Sequence, residues 1–118
     1  GFPALMAGHI SMPALSGDTL PAVLSRKVMT GILRGKMKFD GLLITDALNM
    51  KALDAGDGTE TRAVRTLMAG ADIMLAPSDT RREIDGVVEA VRSGRLSASI
   101  VRDRCRRVLF YKFLTLMR

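Results

Sequence analysis

The 118-residue sequence has one cysteine, one histidine, no tryptophan and only four prolines, and most of these scarcities close a route to function. A lone Cys105 leaves no partner for an internal disulfide and no thiolate cluster for zinc, so folding needs neither an oxidising compartment nor a metal. Set at helical spacing from Val101, Val108 and Leu109, Cys105 is expected to act as a small buried hydrophobe. A lone His9 with no upstream acid partner makes a Ser-His-Asp triad a poor fit, and no His, Cys or acidic cluster has the spacing of metal ligands. No cofactor and no metal are therefore expected. Gly31-Ile32-Leu33-Arg34-Gly35 and Asp54-Ala55-Gly56-Asp57-Gly58 form neither a dinucleotide fingerprint nor a phosphate loop, and the second reads as a mobile turn with Asp54, Asp57 and Glu60 solvated. No apolar run approaches the roughly 18 to 20 residues needed to cross a bilayer, and Gly1-Phe2-Pro3-Ala4 lacks the basic segment and apolar stretch of a secretory signal.

What is present suits one globular α/β domain over residues 1–118, with 47% hydrophobic and 25% charged residues and no linker, repeat or low-complexity stretch. The net charge of +6 is unevenly placed: residues 1–80 carry eight basic and eight acidic side chains, residues 81–118 ten and four. Arg102, Arg104, Arg106 and Arg107 account for much of the excess and read as a solvated helix face. Phe110, Tyr111 and Phe113 fall on or beside an apolar helical stripe rather than on a sheet that stacks bases, so neither nucleic acid nor a membrane is expected as partner.

Three short apolar runs predict strands: Leu5 to Ile10, Gly41 to Asp46 and Ala71 to Ala76, the last two with the near-continuous pattern of parallel strands buried on both faces. Helices are predicted between and after them. One runs from an N-cap at Ser25 to about Lys36 with Val28, Met29, Ile32 and Leu33 inward, stopped by Gly35 or the turn after it. A second opens near Thr59 with Ala63, Val64, Leu67 and Met68 on one face and ends at Gly70. A third spans about Asp79 to Ser93 with Ile84, Val87, Val88 and Val91 inward, closed by Gly94, and a fourth starts at Ser97 or Ser99. Three parallel strands with helices of one hand make a thin sheet, which implies either self-association or membership of a larger body such as a (β/α)₈ barrel of about 250 residues.

Ligands of parallel α/β folds gather at the carboxyl ends of the strands. Those ends deliver His9, then Thr45-Asp46 followed by Ala47-Leu48-Asn49-Met50, then Pro77-Ser78-Asp79. Asp46 is the leading candidate, because an acid placed by a rigid strand beside Leu42-Leu43-Ile44 suits a nucleophile; a structural cap is its equal alternative on position alone. Ser78 or Thr80 beside a backbone nest would instead mark a phosphate-binding barrel, and the arginine-rich helix a basic binding module.

The block Phe39-Asp40-Gly41-Leu42-Leu43-Ile44-Thr45-Asp46-Ala47-Leu48-Asn49-Met50, preceded by Leu24-Ser25-Arg26-Lys27 and Gly31-Ile32-Leu33-Arg34, resembles family 3 glycoside hydrolases, in particular bacterial β-N-acetylglucosaminidases of the NagZ type. Met6-Ala7-Gly8-His9-Ile10-Ser11-Met12-Pro13 is similar to the end of that family's sixth barrel strand, Ala69-Gly70-Ala71-Asp72-Ile73-Met74-Leu75 to its eighth, and Arg106-Arg107-Val108-Leu109 with Lys112 to its last helix. The resemblance implies the C-terminal part of a TIM-type (β/α)₈ barrel, about strands six to eight. It implies Asp46 as the nucleophile of a retaining glycosidase, with His9 and Met50 near the sugar. It also implies a carbohydrate partner, an N-acetylglucosaminide from cell-wall fragments, in the cytoplasm or periplasm of a bacterium. Lys38 stands where the family commonly has glycine. The first five strands, with the acid/base histidine and most sugar contacts, have no counterpart here, so the chain alone is expected to be nearly inactive, and His9 is not that acid/base histidine.

Overall fold

The three apolar runs pair as parallel strands. In the computed structural model, which describes residues 3–54 and 60–117, β1 (Ala4–Ala7), β2 (Leu42–Ala47) and β3 (Ile73–Leu75) form one sheet in the order β1-β2-β3. Ala4 lies opposite Leu42 and Ala7 opposite Thr45; on the other side Ile44 pairs with Ile73, and a register shift then sets Ala47 against Leu75. Parallel neighbours require long crossovers. The first holds α1 (Pro13–Ser16), a 3₁₀ turn (Ala22–Leu24) and a π-helix (Lys27–Lys36); the second holds a 3₁₀ turn (Lys51–Asp54) and α2 (Arg62–Ala69). Helices α3 (Thr80–Arg92) and α4 (Ala98–Leu116) follow β3.

Local chemistry fixes the helix ends. Ser25 Oγ accepts from the Val28 amide at 3.4 Å, Asp79 Oδ1 from Arg82 at 3.0 Å and Ser97 Oγ from Ser99 at 3.3 Å. Thr61, not Thr59, caps α2, its Oγ1 accepting from Val64 at 3.4 Å, while Thr59 lies outside the described residues. Gly70 turns the chain at φ 136, with Thr30 Oγ1 and Met29 packed where a side chain would project. The helix after Ser25 differs from the expected α-helix. It is wound with i→i+5 bonds, the Met37 amide reaching Ile32 O at 2.9 Å, and Gly35 lies inside it rather than ending it. Gly31 and Gly35 offer no Cβ to resist the wider turn. The reversal falls on Lys38, at φ 55, a conformation that suits glycine far better than lysine.

One core joins Val23, Met29, Leu43, Leu48, Leu53, Ala69 and Ala71; a second joins Val64, Leu67, Ala90 and Leu96. Within the described residues helices cover only one face of the strands, which leaves the other face of the two-sided apolar runs open. Leu43 and Thr45 of β2 are fully buried, Leu42, Ile44 and Asp46 between and beyond them only half so, and Met6 of β1 is 57% exposed. Cys105 is likewise exposed rather than buried, as are Met68, Ile84 and Val88. Their reason is shared for Ile84, Val88 and Cys105: they line a cavity of about 560 Å³ between β3, α3 and α4, with Leu67, Met74 and Val108.

Candidate active site

Asp46 is the fifth residue of β2, so the strand itself aims its side chain. Alternation puts Thr45 on the covered face and Asp46 on the open one. The Thr45 hydroxyl is turned away from Asp46 and accepts from the Leu75 amide at 3.2 Å. The Asp46 carboxylate is half-buried, and its Oδ1 accepts from the Ala47 amide at 2.7 Å. A carboxylate with one oxygen held by the backbone, at the carboxyl end of a parallel strand, has the geometry of a nucleophile or charge stabiliser.

The segment after it is held on three sides. His9 Nε2 lies 2.8 Å from Ala47 O, the Leu48 amide donates to Leu75 O at 2.8 Å, and Arg62 donates to Leu48 O. His9 and Asp46 thus belong to one constellation, spanning the ends of β1 and β2. Met50 lies just beyond the same strand end, 43% exposed. At the exit of β3, Asp79 already caps α3, so that amino terminus carries its own anion; Ser78 and Thr80 are exposed. Of the three acids expected to be solvated, Glu60 pairs with Arg95, whereas Asp57 and the side chain of Asp54 lie outside the described residues.

The basic helix is not the solvated face that its sequence suggests. Arg104 and Arg107 of α4 turn inward with Arg34 of the π-helix onto Asp72, whose side chain is fully buried just before β3. Arg34 Nη2 and Arg107 Nη1 each lie 2.5 Å from an Asp72 oxygen, Arg104 Nε lies 4.0 Å away, and the Leu43 amide donates to Oδ2 at 2.8 Å. Burial pushes the Arg34 and Arg104 guanidiniums below the ordinary arginine range, and the Asp72 charge pulls them part of the way back. Arg102 and Arg106 remain exposed. The signal in the sequence was Asp72 itself, a lone acid inside Ala69-Gly70-Ala71-Asp72-Ile73-Met74-Leu75. Among the described residues no group of His, Cys, Asp or Glu is placed to hold a metal ion, and no helix is long and apolar enough to cross a membrane.

The description "Glycosyl hydrolase family 3 N terminal domain" matches residues 1–110. A beta-hexosaminidase of Chromobacterium violaceum is 39% identical over 92 residues, which are 77% of this chain and 25% of that protein. Beta-hexosaminidase LpqI of Mycobacterium tuberculosis is 36% identical over 104 residues, 82% of this chain and 26% of that one. Among solved structures, a glycoside hydrolase family 3 beta-N-acetylglucosaminidase from a Paenibacillus species superposes with a TM-score of 0.86 at 36% identity, covering 95% of this chain and 22% of its own. The beta-N-acetylglucosaminidase of Thermotoga maritima gives 0.81 at 31% identity, covering 92% and 24%. The chain spans about a quarter of the length of the curated relatives it matches.

Proposed function

The chain belongs to glycosyl hydrolase family 3, and on that premise we propose that it carries the nucleophile of a retaining β-N-acetylglucosaminidase. Its α/β fold is part of the TIM-barrel-type domain of that family, and residues 1–118 correspond in this proposal to about strands six to eight. The observation that carries the assignment is the placement of Asp46: on the open face of β2, at its carboxyl end, with Oδ1 fixed by the Ala47 amide. The substrate is a terminal β-linked N-acetylglucosamine, with cell-wall fragments of a bacterium as its source.

In the first step the charged Asp46 carboxylate attacks the anomeric carbon, the glycosidic C–O bond breaks, and the departing oxygen takes a proton from an acid outside these 118 residues. Water then attacks the glycosyl ester, gives up a proton to the same group now acting as base, and releases Asp46 with retention of configuration. In this proposal His9 and Met50 stand near the sugar. An acid-catalysed departure is worth about 100-fold to 10,000-fold, so these residues without that acid should turn over very slowly.

The test is covalent trapping in the protein expressed with any sequence that flanks residues 1–118 in its gene. A 5-fluoro N-acetylglucosaminyl donor should label Asp46, located by peptide mass spectrometry, and Asp46→Asn should lower turnover of an aryl β-N-acetylglucosaminide by several orders of magnitude with sugar affinity largely kept. Label on Asp54, Asp57 or Glu60, or full activity in the Asn variant, refutes the assignment.

A further inference from the structure

We infer that His9 is a positioning residue for Asp46, acting through the Ala47 carbonyl rather than by touching the sugar. The inference rests on the nucleophile role proposed for Asp46. A carbonyl oxygen only accepts, so the 2.8 Å contact with Ala47 O puts a proton on His9 Nε2 and commits that nitrogen to the main chain. His9 Nδ1 is buried and has no hydrogen-bond partner. One ring nitrogen is therefore engaged and the other is closed to solvent, which leaves no polar atom of the ring free for a substrate hydroxyl.

The bond also falls where the sheet ladder gives out. Pairing between β1 and β2 ends at Ala7 opposite Thr45, one residue short of Asp46. Beyond that point β1 reaches β2 through the His9 ring, across 38 residues of sequence, and it grips the residue whose amide holds Asp46 Oδ1. On the other flank the Leu48 amide is tied to Leu75 O. Removing the imidazole frees the Ala47 peptide on the β1 side only, so the carboxylate loses its aim while the strand remains paired. Misplacement of a reacting group by about 1 Å costs on the order of 100-fold in rate.

The comparison is between His9→Ala, His9→Asn and His9→Gln in the same flanked protein, read as the labelling rate of Asp46 by the 5-fluoro donor and, separately, as the dissociation constant of the product sugar. His9→Ala should slow labelling about 10- to 100-fold with sugar affinity within about 2-fold, and His9→Gln, whose amide nitrogen sits where Nε2 does, should recover to within about 3-fold of wild type. Should the alanine variant fail to fold, Asn against Gln decides, since the shorter amide does not reach Ala47 O. Equal loss in Asn and Gln, or weaker sugar binding at an unchanged labelling rate, overturns the positioning role and leaves the nucleophile assignment standing. A wild-type protein that takes no label on Asp46 overturns both.

Discussion

Replacing Asp72 by asparagine isolates the charge that ties α4 and the π-helix to the sheet. The Asp72 side chain is fully buried, while those of Arg34, Arg104 and Arg107 around it are 15%, 18% and 28% exposed. Asparagine keeps the shape and one acceptor oxygen. It turns the other oxygen into an amide donor facing a guanidinium donor, and it leaves three cations converging on a neutral group. Breaking a buried ion pair from one side costs about 3–5 kcal/mol. The arginines retain some access to water, along which their long stems can carry the charge outward, so the lower end of about 3 kcal/mol applies. Against a total stability of about 5–15 kcal/mol this is a large share.

With no tryptophan in the sequence, the assay is far-UV circular dichroism in urea and on heating. The urea midpoint should fall by about 1.5 M and the melting temperature by about 10 °C. Arg34 and Arg104, whose folded pKa values burial lowers, weigh against the fold for as long as they are charged. That cost would lift only as pH rises through those lowered values, and arginine stays protonated at working pH, so the loss should be flat between about pH 5 and 9. Removing a second charge should return stability: Asp72→Asn with Arg107→Met should be more stable than Asp72→Asn alone. A midpoint shift below about 0.3 M, or a double variant less stable than the single one, refutes the charge account.

Lys38→Gly should raise stability by about 0.5–1 kcal/mol, measured by the same urea titration, because glycine accepts φ 55 without strain. Gly86→Ala should lower it by about 1–3 kcal/mol, since a Cβ there would stand 2.7 Å from Thr61 Oγ1, the cap of α2. Fluorescence anisotropy with a short duplex or single strand should show no saturable binding below about 1 µM at physiological salt, because two of the four clustered arginines are committed to Asp72; submicromolar binding would reopen the nucleic-acid reading. Light scattering of the 118-residue chain between about 10 and 200 µM should show mass above 12.8 kDa, driven by the open sheet edges and the cavity beside α4. A monomer with a sharp unfolding transition throughout that range would contradict it.

Strand and helix order were legible because apolar runs, caps and glycines act locally: Asp79, Ser97, Gly70 and Gly94 punctuate the chain where their chemistry requires. The family was legible from the block around Asp46, which the match over residues 1–110 bears out. What composition and spacing could not show was tertiary. Cys105 and Val88 have the spacing of core residues, yet nothing among the described residues fills the groove beside them. Arg104 and Arg107 read as surface charges because their partner lies more than 30 residues earlier in the sequence, and only the packing of α4 brings them together. The His9 contact is of the same kind, a long-range side chain to main chain bond that no spacing rule predicts.

Strand β2 joins two tasks that the sequence keeps apart. Near its amino end the Leu43 amide donates to the Asp72 carboxylate, and the arginine cluster there ties the π-helix and α4 to the sheet. Three residues further on, roughly 10 Å along an extended strand, Asp46 faces the open side. A barrel strand conventionally divides in this way, with stability vested at the amino end and chemistry at the carboxyl end. The register shift between Ile44 and Ala47 shows how the second end is freed from the first. Ile44 pairs with Ile73 and Ala47 with Leu75, and the register shifts across Thr45 and Asp46 between them, so under the proposed nucleophile role the carboxylate comes from a stretch that the ladder on that side does not fix. Its aim is then set by side chains and by the Ala47 amide, which can be altered one at a time without unpairing the sheet. Variants at His9 should therefore move rate with little change in melting temperature, and variants at Asp72 should move melting temperature first.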